Sequence, residues 1–166
     1  MNFFAAAIRY VYGGGAPVSS KPATISPDGA VSEPSAGEFD VTVAPGEGVQ
    51  AAVDRCPRGG CVLLQPGTHE GPLVLTAGQE VHVFGRGRAT LHFANGVVVM
   101  SEASRATMDG LIVWREAGGA IFNSRACVLI RSGRLRLQAC DISSAASGAY
   151  CVCIEGGADP FLSACK

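Results

Sequence analysis

Three observations predict an all-β fold, a right-handed parallel β-helix of about five coils. First, the segments at 62–64, 73–75, 81–83 and 91–93 are short apolar strands, separated by Gly-containing corners with no helical stretch between them. Strands this short and this close wind into coils more readily than they pair as hairpins. Second, the chain repeats itself. Leu137-Gln138-Ala139-Cys140 recurs as Leu162-Ser163-Ala164-Cys165, and Gly85 recurs as Gly110, each after a period of about 25 residues. Third, the composition suits a solenoid. The chain has 22 Gly, is 48% hydrophobic and only 7% aromatic, so it is rich in corner residues and in side chains small enough for a narrow interior. About five coils at ~4.8 Å each would stack to roughly 24 Å.

The elements follow in order. The first residues, Met1 to Tyr12, have a helical option but no evident packing partner. They resemble a secretory signal only loosely, because no Lys or Arg precedes the apolar run of residues 3–8 and that run is shorter than the ~7–15 residues required. Residues 13–39 are rich in Gly, Pro, Ser and Ala without periodicity, so residues 1–40 are expected to be a disordered leader. The β-helix is expected over residues 41–166, opening on a strand at 41–43 and a turn at 45–48. Val49, Ala52 and Val53 then form the i, i+3, i+4 stripe of a short helix, which Pro57-Arg58-Gly59-Gly60 ends. A solenoid must cover its open hydrophobic end, and this helix is placed to do so.

Alternation assigns inward pairs along the coils. They are Val62 and Leu64, Leu73 and Leu75, Val81 and Val83, Leu91 and Phe93, and Val97 and Val99. Leu111 and Val113, Val128 and Ile130, Leu135 and Leu137, and Val152 and Ile154 continue the series. The step from Gly110 to Cys140 exceeds the repeat, which places a longer loop in that coil. The sequence stops at Lys166 in mid-coil, so the last coil is expected to continue in a longer protein or to be covered by another chain, with end-to-end association as one option. A β-sandwich would need hairpins, for which Asn95-Gly96 is the one good turn. The Leu-x-x-Leu-x-Leu frame of a leucine-rich repeat is absent.

A net charge of −1 gives no global attraction to nucleic acid or to an anionic membrane, and no run approaches the ~18 apolar residues of a membrane span. Seven cysteines at irregular spacing make a poor disulfide framework and lack zinc-ligand spacing. They read as buried reduced thiols, which favours an intracellular protein, cytoplasmic or nuclear.

Residues 49–70, with their helix, Gly-Gly corner, first strand and Pro66-Gly67-Thr68-His69-Glu70 turn, resemble the opening of pectin-lyase-like right-handed β-helices. Val81-His82-Val83-Phe84-Gly85-Arg86-Gly87 resembles their following strand and corner. Residues 155–165 are similar to coils of the carbohydrate-binding and sugar-hydrolase (CASH) β-helix domain found in F-box and spindle-associated adaptor proteins. The resemblance covers roughly residues 41–166 and implies a fold and a class of ligand rather than a reaction. The Gly-x-x-Asp-Phe-Ile-Phe-Gly context of pectin esterases is absent, as are the Asn-Thr-Asp, Asp-Asp and Gly-His-Gly motifs of polygalacturonases.

These readings lead to a non-catalytic recognition scaffold for a protein partner or a glycan, including an acidic polysaccharide, without cofactor or metal. The alternative is a fragment or inactive relative of a polysaccharide lyase, esterase or hydrolase. Arg134 and Arg136, outward if Leu135 and Leu137 point inward, are the leading binding candidates, with Arg131 nearby. Asp109 and Asp141 occupy related places in successive coils, where two close carboxylates could hold calcium or exchange protons. Turn-forming is the more ordinary role of Asp before Gly. Cys151 and Cys153 share one face of a strand, His69 reads as a packing substitute for Tyr, and Trp114 follows a strand where it could stack on a sugar.

Overall fold

The computed structural model describes residues 39–94, 96–117 and 126–166. The expected leader therefore lies outside the described residues, apart from Phe39 and Asp40. Those two already belong to the first coil. The Asp40 N–H donates to the Cys61 carbonyl at 2.9 Å, and its carboxylate accepts the Cys61 N–H at 2.9 Å. Phe39 stacks edge-on against Phe84, with ring centroids 5.6 Å apart.

The chain winds as a parallel β-helix of three sides. The first side runs β1 (Val41–Val43), β2 (Gly60–Leu64), the first half of β5 (Glu80–Phe93), the first half of β7 (Arg105–Arg115), β9 (Leu135–Gln138) and β12 (Phe161–Ser163). The second side holds β3 (Gly67–Glu70), the second halves of β5 and β7, and β10 (Asp141–Ser144). The third holds β4 (Leu73–Leu75), β6 (Val99–Ser101), β8 (Ala126–Ile130) and β11 (Tyr150–Ile154). Every pairing among these strands is parallel. The hairpin option at Asn95-Gly96 is not used, because β5 and β6 pair with other coils rather than with each other.

Register explains the repeat. On the first side Val62, Val83, Met108, Leu137 and Leu162 form one inward row. His69, Leu91, Val113 and Ile142 form the row of the second side, and Leu73, Val99, Val128 and Val152 that of the third. Most members are fully buried, and Leu135 and Leu137 face inward as alternation predicts. Three pairs depart from that expectation, the first being Leu91 and Phe93, since Phe93 is only half-buried against the core. Val98 and Val99 are buried while Val97 is only half-buried, because the corner before β6 shifts the phase. Val152 is half-buried and Ile154 is 36% exposed, as β11 is paired on one side only among the described residues. Met108, Ala106, Cys127 and Cys140 are core residues that alternation of large aliphatics did not single out.

The corner between the first and second sides is left-handed in successive coils. Gly110, Ala139 and Ala164 hold φ of 61°, 49° and 52°. The recurring Leu-x-Ala-Cys is therefore the repeated corner, with Ala accepting a conformation that Gly takes without strain. Gly85 is required for another reason. A methyl there would collide with the Leu111 side chain and lie 2.8 Å from the Gly110 carbonyl oxygen.

The helix α1 (Val49–Arg55) buries Val49, Ala52 and Val53 against the first coil, as expected of a cap. Its Gln50 does more than cover apolar surface. The Gln50 amide accepts the Val74 N–H at 2.7 Å and donates to the Val74 carbonyl at 3.0 Å. One side chain thus supplies both hydrogen bonds that a further strand would offer to β4, and blunts an edge that would otherwise invite pairing.

Coil length varies mainly at one corner, between the second and third sides. The connections there are residues 71–72, 94–98, 116–125 and 145–149. The long loop expected between Gly110 and Cys140 falls on the third of these, where residues 118–125 lie outside the described residues. In solenoids, insertions collected on one face commonly mark the binding face.

Candidate functional site

The three arginines singled out in the sequence all touch the next coil. Arg134 pairs with Asp159 at 3.2 Å, both well exposed. The Arg136 guanidinium sits 4.4 Å from the centre of the Phe161 ring, one rung above it in register. Arg131 lies between Glu102 and Glu155, at 3.6 and 3.8 Å. Those carboxylates flank it from neighbouring coils, since Ser101, Ile130 and Ile154 just before them are in register. The register thus supplies Arg131, Arg134 and Arg136 with partners from the stack itself.

The two aspartates occupy different rows. Asp109 is in register with Gln138, whose amide donates to its carboxylate at 3.2 Å. Asp141 is exposed and in register with Ile112, beyond the Gly110 corner. Successive coils therefore bring an amide, not a second carboxylate, to Asp109. Among the described residues no cluster of three or more His, Cys, Asp or Glu side chains is arranged to hold a metal.

The second side gathers a different set. With Leu91, Val113 and Ile142 inward, strand alternation turns their neighbours outward. One outward row is Thr68, Thr90, Ile112 and Asp141, and the next is Glu70, His92, Trp114 and Ser143. Row neighbours are about 4.8 Å apart, one rung of the sheet. Trp114 is half-buried. His92 Nε2 approaches the exposed Glu116 carboxylate at 3.4 Å. Between Trp114 and Glu116 the chain is anchored by Arg115, which is 4% exposed and donates from Nη1 to the Ala126 carbonyl at 3.1 Å. That bond ties the end of β7 to the start of β8 across the longest corner. His69 takes no part in this face. It is fully buried, with Nε2 2.8 Å from the Gln65 carbonyl oxygen, as expected of a core substitute for Tyr.

The sequence alone offered Trp114 as a lone ring and missed its neighbours His92, Glu70 and Glu116. Alternation in 90–92 and 112–114 carries the signal. It was hidden because the step between coils changes at the irregularity between Phe84 and Ala89, so His92 and Trp114 do not stand one repeat apart. No protein-family model, no curated protein sequence and no solved structure matches the chain.

Proposed function

We propose that the chain is a non-catalytic recognition scaffold that binds a neutral glycan on the outer face of its second side. The observation that carries this reading is Trp114, half-buried and outward, one rung from His92 and beside the half-buried Ile112. A sugar ring presents an apolar C–H face and a rim of hydroxyls. An indole matches the face, while Thr90 and Glu116 match the rim. The carboxylates of Glu70, Glu116 and Asp141 would repel an acidic chain, so a neutral one is favoured. An acidic ligand on the first side has less support, since Arg134 and Arg136 already hold Asp159 and Phe161. The reading agrees with the resemblance to carbohydrate-binding β-helix domains.

Trp114 is the chain's one tryptophan, so its emission reports on this face alone. Titration with short neutral oligosaccharides is expected to change that emission saturably, while polygalacturonate does not. By calorimetry, Trp114→Ala is expected to weaken binding about tenfold, the scale of an aromatic contact. Absence of saturable binding to any neutral glycan, or an unchanged affinity in Trp114→Ala, would sink the proposal. Release of new reducing ends that depends on Glu70 or Glu116 would establish the hydrolytic alternative instead.

A further inference from the structure

Cys127 and Cys151 are neighbours across β8 and β11, because Ala126 pairs with Tyr150 and Val128 with Val152 on either side of them. Parallel strands stand about 4.8 Å apart, inside the ~4.4–6.8 Å between Cα atoms that a disulfide spans. Equal phase in a shared register puts both side chains on the same face of the sheet. The Cys127 sulfur lies 3.7 Å from the Val113 carbonyl oxygen and 3.5 Å from that of Ser143. Those oxygens belong to β7 and β10, in successive coils, so the thiol leans toward the coil that carries Cys151. Cys127 is fully buried, whereas Cys151 is exposed.

We propose that Cys127 and Cys151 are an oxidisable pair that closes as an inter-coil disulfide when a small-molecule disulfide, such as oxidised glutathione, reaches Cys151. The Cys151 thiolate attacks one sulfur of oxidised glutathione, forming a mixed disulfide and releasing one glutathione thiolate. Cys127 then loses its proton to solvent and attacks the Cys151 sulfur. The mixed S–S bond breaks, the protein disulfide forms, and a second glutathione leaves. Two protein thiols are oxidised and one glutathione disulfide is reduced to two thiols. The second step is the slow one, since burial pushes the Cys127 thiol up to about 12, with the nearby Cys151 adding to the rise and Arg115 opposing it. The product ties β11, with its exposed Tyr150 and Ile154, to the coil beneath.

A second pair provides an internal control. Cys140 lies within 3.3 Å of the Gln138 oxygen and 3.4 Å of the Met108 oxygen, and Cys165 repeats this with Ser163 and Leu137, both at 3.4 Å. Equivalent contacts one coil apart hold these sulfurs a rung from each other instead of converging.

The test is incubation of the full chain with oxidised glutathione, followed by acid quench, alkylation and unreduced peptide mapping. The expected product has lost two hydrogens and contains a peptide linking Cys127 to Cys151. Its formation should speed up about tenfold per pH unit above neutrality, as the Cys127 thiolate fraction grows. The glutathione adduct on Cys151 should build up first and resolve into the linkage in the unsubstituted chain, whereas Cys127→Ser should keep the adduct. A stable adduct on Cys151 in the unsubstituted chain would overturn the proposal. So would linkage of Cys151 to Cys153, or faster linkage of Cys140 to Cys165. Each of these readings comes from the unsubstituted chain, so the proposal stands or falls even if Cys127→Ser does not fold.

Discussion

The first and second sides of this β-helix rest on one core but turn different chemistry outward. On the first side, polar groups are matched by the next coil: Asp109 by Gln138, Arg136 by Phe161, and Arg134, at its edge, by Asp159. On the second side the rows place unlike groups together, with Glu70, His92, Trp114 and Ser143 in line and Glu116 against His92. A side chain that its neighbouring coil satisfies holds the stack together. A row whose members do not complete one another retains hydrogen-bonding and stacking capacity for a ligand. The second side also adjoins the corner whose length changes from coil to coil, which supplies further variable groups at its margin.

The largest effect should come from the core both sides share. Leu137 is fully buried and contacts coils on either side through its row. Leu137→Asp is expected to cost at least about 4 kcal/mol, from the lost apolar burial and an unpaired buried carboxylate. That is a large share of a typical domain's stability, so both faces should be lost together in a thermal melt followed by circular dichroism. A melt left unchanged would mean that Leu137 is not interior.

A smaller and one-sided effect should follow from changing both Arg134 and Arg136 to Ala. The Arg134 pair is exposed and contributes little, while a cation over a ring contributes about 0.5–1 kcal/mol. The double variant is therefore expected to fold, to lose about 1 kcal/mol in denaturant titration, and to bind neutral glycans as before. Loss of glycan affinity with the fold intact would move the binding face to the first side and erase the comparison.

The smallest effect concerns pH. His82 stands on the first side between Cys61 and Thr107 in register. Burial lowers its pKa, nearby Arg105 lowers it further, and Glu80 opposes both. Its folded pKa thus lies below the unfolded value of about 6.5, so the unfolded chain binds the proton more readily. The His82 contribution is fully present above pH ~6.5 and is lost as pH falls through the lower, folded value. Stability should decline on acidification across that window, and His82→Gln should flatten the decline. An equally steep profile in His82→Gln would assign it to other groups.

The repeat of Leu-x-Ala-Cys, the corner glycines and the apolar pairs were enough to read the winding and the capping helix. Leu137 and Leu162 do stack, and Val49, Ala52 and Val53 do cover the first coil. The candidate site was less legible. Alternation placed Arg136 outward correctly, but nothing local to it announces Phe161 above. Asp109 and Asp141 read as related places in successive coils, yet the Gly110 corner separates their rows.

The sequence by itself determined which residues face inward on most strands, because period-two alternation and left-handed corners are local properties of the chain. Only the tertiary structure decided which outward residues meet. That depends on the exact number of residues in each coil, and this number changes at the 85–88 bend and at the corner after the second side. A register shifted by two residues would bring a different outward side chain over Trp114 while leaving the core pattern unaltered, whereas a shift of one would turn the core face outward.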